Sequence, residues 1–68
     1  MVIRLNSSLA NPMLFRVAMI EGVTLEISSE IEGFIIEQPG EEAIIGSDRR
    51  EFHMAIRELM RGQRERPE

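Results

Sequence analysis

The chain has 68 residues and a mass of 7.8 kDa, room for one domain, and its 12 acidic and 8 basic residues leave a formal net charge of −4. It has no Cys, which excludes disulfide frameworks, thiol nucleophiles, Cys-ligated zinc and iron–sulfur clusters. Its longest apolar run is Val17–Ile20, far short of the ~20 residues of a membrane span, while 43% apolar content with nine Ile argues against disorder.

Met1–Leu5 reads as a short strand, and its residues lack the charged-then-apolar order of a secretory leader. The composition fits a cytoplasmic protein. Asn6-Ser7-Ser8-Leu9-Ala10-Asn11-Pro12 follows as a loop, because Asn, Ser and Pro each favour turns. Asn6-Ser7-Ser8 is formally a glycosylation triplet and is expected to be an ordinary turn.

Met13–Ile20 is predicted to be a second strand, turning at Glu21-Gly22 into a third at Val23–Ile27. The implied pairs are Ile20–Val23, Ala18–Leu25 and Arg16–Ile27. One face then carries Leu14, Ala18, Ile20, Val23, Leu25 and Ile27. The other carries Phe15, Val17 and Met19 beside Thr24, Glu26 and Ser28. Phe34–Glu37 and Glu42–Ile45 flank Gln38-Pro39-Gly40-Glu41, where Pro-Gly fits a type II turn. The expected pairs there are Ile36–Ala43, Ile35–Ile44 and Phe34–Ile45.

The helix signal is the strongest in the chain. Asp48 is placed to cap, and Glu51 completes the capping-box spacing. Phe52, Ile56 and Leu59 recur at i, i+4 and i+7. Gly62 is the expected stop, so one domain covers 1–62 and 63–68 form a flexible polar tail.

No constellation for catalysis emerges. His53 is the only His and has no acid at i, i+4, so neither a catalytic pair nor a metal ligand set is complete. No G-x-S-x-G elbow occurs, and the glycines at 22, 33, 40, 46 and 62 are too scattered to cradle phosphate. Glu37, Glu41 and Glu42 could supply oxygen ligands, yet they flank a turn where exposed acids are usual. We therefore expect no enzyme, no metal, no cofactor and no small-molecule substrate.

Charge is unevenly spread: +2 over residues 1–16, −7 over 17–47 and +1 over 48–68. All eight cations are Arg. Arg50, Arg57 and Arg64 recur every seven residues, and with His53 and Arg61 they line one side of the helix. Guanidinium forks suit carboxylate or phosphate. A pI of about 5.0, no Tyr or Trp for stacking, and Glu51, Glu58 and Glu65 alongside all weigh against nucleic acid. A solvated face or an acidic protein partner fits better. Met19 and Met54 read equally as core filler or as contact surface, and Met60 reads as core.

The closing order of strand, tight turn, strand and capped helix is similar to the end of bacterial PH-like domains and of small flagellar accessory proteins. Met1-Val2-Ile3-Arg4-Leu5-Asn6 resembles the opening of the latter. Neither likeness rests on a rare residue at a fixed spacing, so no family is assigned and no site is carried over.

These readings predict an α+β fold, a small antiparallel β-meander of four to five strands packed on one C-terminal amphipathic helix. Leu14, Ala18, Ile20, Leu25, Ile27, Ile36, Ile45, Phe52, Ile56 and Leu59 are expected to point inward. One helix covers one sheet face, which leaves Phe15, Val17, Met19, Ile35 and Ile44 as an apolar patch that soluble monomers rarely leave open. The expected function is a non-catalytic protein-interaction module, a homo-oligomer or accessory subunit, acting through that face and an edge strand. The alternative is a small regulator binding an anionic partner through Arg50, His53, Arg57, Arg61 and Arg64.

Overall fold

A computed structural model describes the backbone of residues 1–64 and the side chains of residues 1–62. Strand β1 (Val2–Asn6) leads through a 3₁₀ turn (Ser7–Leu9) into helix α1 (Met13–Ala18). Strands β2 (Thr24–Ser28), β3 (Phe34–Glu37) and β4 (Ile44–Gly46) follow, and helix α2 (Arg49–Arg64) ends the described chain. The sheet order is β2-β1-β3-β4, with β1 parallel to β2 and antiparallel to β3. The α+β class is as expected, and the sheet is mixed rather than wholly antiparallel.

The difference arises at Met13–Ile20, predicted as a strand and folded as α1. Asn11 starts it: its Oδ1 accepts from the Met13 N–H at 2.8 Å, and Pro12 supplies a preset φ of −59°. Of the six helical residues only Val17 is β-branched, so propensity does not oppose the turn. A helix between β1 and β2 is also the connection a parallel pair needs. Gly22, at φ +87°, then redirects the chain, and the Thr24 N–H donates to the Met1 carbonyl at 2.9 Å to begin β2.

Both helices lie on one face of the sheet. Ile3, Leu5, Phe34 and Ile36 point toward them and meet Leu14 and Val17 of α1 and Phe52 and Ile56 of α2, with Leu9 closing one end. Leu14, Ile36, Phe52 and Ile56 are buried as expected, and Leu25 and Leu59 are partly so. Ala18, Ile27 and Ile45 are not core residues. The Ile45 misplacement has a simple cause. The β3–β4 pairing is shifted by one residue from the predicted register, so Ile35 pairs with Ile45 and not with Ile44. A one-residue slip exchanges faces along a strand. Ile45 therefore stands on the open face, 72% exposed, and Ile44 on the covered one.

The open face is polar at its centre. Arg4 Nε donates to Glu26 Oε1 at 3.0 Å, and Arg4 Nη1 lies 3.9 Å from Glu37 Oε1. The expected apolar second face is thus reduced to Val2, Ile35 and Ile45 around an ion cluster.

Helix α2 begins as predicted. Asp48 Oδ1 accepts from the Arg50 N–H at 2.7 Å, while Glu51 Oε1 accepts from the Asp48 N–H at 3.1 Å. The helix runs past the expected stop at Gly62 to Arg64. Of the predicted tail, residues 65–68 lie outside the described residues.

Asn6 ties three segments together. Its Oδ1 accepts from the Ser8 N–H at 2.8 Å, its Nδ2 donates to the Ile31 carbonyl at 2.6 Å, and its N–H donates to the Gly33 carbonyl at 2.8 Å. Asn6→Ala should cost about 1–2 kcal/mol, lowering Tm by roughly 5–15 °C in a circular-dichroism melt. Asn6→Asp keeps the acceptor but turns a carboxylate toward the Ile31 carbonyl, and should melt no higher than Asn6→Ala.

Candidate protein-docking groove

Parity along the helices decides which side chains meet between them. In α1, Leu14 and Val17 face the sheet, so Met13 and Arg16 lie on the flank toward α2. In α2, Phe52 and Ile56 face the sheet, so Met54, Arg57, Glu58 and Arg61 form the adjoining stripe at i, i+3, i+4 and i+7. Between the two flanks runs a shallow groove of about 490 Å³, with Met60 completing its lining. Three thioethers thus lie beside three guanidiniums and a single carboxylate.

The charges are unequally engaged. Arg61 Nη1 donates to Glu58 Oε2 at 3.1 Å across an exposed i, i+3 pair. Arg16 and Arg57 are exposed and make no ion pair among the described residues. Met54 is 61% exposed, so apolar surface and unmatched positive charge open onto the same channel.

The residues expected to form one apolar patch are dispersed. Val17 is fully buried under α1, because the segment is a helix and position 17 shares the sheet-facing side with Leu14. Phe15 and Met19 stand exposed on the other side of α1. Ile35 is half-buried on the open sheet face, beside Arg4. Ile44 lies on the covered face at its rim, in a second cleft with Ile20, Pro39 and Leu59.

The predicted arginine face is divided as well. Arg57 and Arg61 line the groove; Arg50 and His53 are exposed on α2 outside it, and the Arg64 side chain lies outside the described residues. Arg49 is taken up structurally, its Nη2 donating to the Ser8 carbonyl at 3.0 Å. Met13 and Arg16 are the groove residues that sequence reasoning missed, since a strand at 13–20 would hold them apart from α2. The dipeptide Asn11-Pro12, a side-chain acceptor for the first helical N–H followed by a proline with preset φ, is the signal that could have found them.

Among the described residues no group of three or more His, Asp or Glu side chains could hold a metal ion, and no helix is long and apolar enough to cross a membrane. No known protein family, curated protein or solved structure matches the chain.

Proposed function

We propose that this protein is a small non-catalytic interaction module, a cytoplasmic accessory subunit that holds an acidic, apolar-studded segment of a partner protein. The observation that carries the reading is the α1–α2 groove, where Met13, Met54 and Met60 lie beside Arg16 and Arg57, two cations without an ion pair among the described residues. Thioethers adapt to irregular apolar side chains, and guanidinium forks take carboxylates bidentately. An amphipathic helix with acids flanking its apolar stripe presents both chemistries at the matching spacing.

The test uses a synthetic helix of about four turns with Leu at i, i+3/i+4 and i+7 and flanking Glu, followed by fluorescence anisotropy. The wild-type protein should bind it with an affinity that falls as salt rises. Arg16→Glu with Arg57→Glu should weaken binding at least about tenfold, and a Lys-for-Glu peptide should bind the double variant better than the wild type. Equal binding of acidic and basic peptides by the wild type would remove the reading. Displacement of the peptide by mixed-sequence DNA duplex at physiological salt would instead make the arginine rim a nucleic-acid surface.

A further inference from the structure

Strand β2 is an edge strand whose outer side has no partner in the sheet. The Thr24 N–H donates to the Met1 carbonyl, so by the alternation of a parallel ladder the groups of Glu26 and Ser28 also turn toward β1. The N–H and C=O of Leu25 and Ile27 then point outward. Natural edges are usually guarded by Lys, Pro, a bulge or an inward charge. Val23–Ser28 holds none of these, and its one charge, Glu26, stands on the open face against Arg4. Ile27 is 47% exposed. The opposite edge, β4, is only three residues long and runs directly into the α2 cap.

A second feature lies on the same side of the molecule. α2 packs on α1 and β4, which places α1 toward β2. With Leu14 and Val17 facing the sheet and Met13 and Arg16 facing α2, the helical period turns Ala18 and Phe15 to the flank away from α2. That flank looks toward the β2 edge. Phe15 is 76% exposed there, and no element of the described chain covers it.

We propose that a second copy of this chain pairs antiparallel along β2, joining two four-stranded sheets into one continuous sheet with all four helices on one side. Strand chemistry selects this occupant and its register. A two-fold axis normal to the sheet requires residues of equal parity to face each other. Centring it on Leu25 sets Leu25 against Leu25 of the copy, Val23 against Ile27 and Thr24 against Glu26. All three apolar side chains of the edge then meet apolar side chains on the helix side. Centring it on Glu26 sets two carboxylates directly opposite, which is unfavourable. Centring it on Ile27 sets Leu25 against Ser29. In the chosen register the outward Leu25 groups bond each other, and the Ile27 N–H reaches the copy's Val23 carbonyl. The Val23 N–H is already committed to the Ile20 carbonyl. Phe15 and Ala18 of the two α1 helices flank the seam. This surface is separate from the α1–α2 groove, so either proposal can fail while the other stands.

Sedimentation of the purified full chain from about 5 to 200 µM tests it, in the range where standard-size interfaces of modest affinity dissociate. The wild type should approach twice 7.8 kDa as concentration rises. Ile27→Lys, a guard at a half-exposed position, should raise the dissociation constant at least tenfold and retain the circular-dichroism spectrum. Ile45→Lys on the other edge should leave the constant unchanged. Because the chain has no Cys, engineered thiols report register without background. A mixture of Thr24→Cys and Glu26→Cys proteins should form a disulfide-linked heterodimer faster than either alone. A wild type that stays at 7.8 kDa throughout, an unaffected Ile27→Lys or an equally impaired Ile45→Lys overturns the proposal. Fastest crosslinking of Glu26→Cys with itself overturns the register.

Discussion

Gly33→Ala is expected to remove most of the folded state. Gly33 sits at φ +70°, where a Cβ costs about 1–2 kcal/mol for its backbone conformation alone. The larger cost is contact. A Cβ at this position would lie 2.9 Å from the Ser47 Cα and closer still to the Gly46 carbonyl oxygen, both backbone atoms that cannot rotate aside. The Gly33 carbonyl also accepts the Asn6 N–H at 2.8 Å, so moving the segment breaks the end of the β1–β3 ladder. Gly46 has its own reason to be glycine, since a Cβ there would lie 2.6 Å from Phe34 Cζ. A chain of this length holds roughly 3–10 kcal/mol of total stability, and a combined cost of about 3 kcal/mol or more consumes much of it. Gly22 and Gly40 supply the controls. Both have positive φ, and a Cβ at either meets nothing within 4 Å. Gly22→Ala and Gly40→Ala should each cost only about 1 kcal/mol in urea titrations followed by circular dichroism. Equal costs at 33 and 40 would mean that the close approach to Ser47 carries no weight.

The readable parts of this fold are those written locally. Asp48 and Glu51 specify the α2 start by three-residue spacing, and Pro39-Gly40 specifies a turn, with Gly40 at φ +76° and the Glu41 N–H donating to the Gln38 carbonyl at 3.2 Å. Phe52 and Ile56 announce a buried stripe by their period. The parts missed depend on which of two local signals wins. Met13–Ile20 is apolar at every position but Arg16, and so short an apolar segment does not reveal its own period. Its choice of helix follows from the Asn11 side chain accepting the Met13 N–H, from Pro12, and from the parallel site beside β1 that a helical crossover opens to β2. That single assignment moved Val17 from surface to core and brought Arg16 beside Arg57. The β4 slip is smaller in sequence and as large in consequence, because a one-residue shift of register exchanges Ile44 and Ile45 between faces. The candidate groove was therefore half legible. Its α2 wall, Met54, Arg57 and Arg61, follows from the helix, whereas its α1 wall required the correct state of residues 13–18.

Phe52→Ala should be the most damaging single truncation in the core. The ring is fully buried, and its centroid lies 4.9 Å from that of Phe34 at an interplanar angle of 54°, a tilted arrangement favourable to aromatic pairs. Phe34 in turn covers Gly46, so the pair fastens α2 to β3 and β4 together. Truncation removes the transfer free energy of the ring and leaves a cavity that neighbouring strands cannot collapse into, at a cost of about 3–5 kcal/mol. Phe52→Leu retains most of the volume and should stay folded, with Tm lower by roughly 5–10 °C for a loss of about 1–1.5 kcal/mol. Met54→Ala, two residues away but 61% exposed, should shift stability by no more than about 0.5 kcal/mol. If Met54→Ala destabilises as much as Phe52→Leu, the assignment of the two helix faces is wrong. The series also separates fold from function. Phe52→Ala should impair peptide binding in the groove and self-association along β2 together, because both surfaces hang on the same packing. The Arg16/Arg57 reversal and Ile27→Lys should each remove one and spare the other.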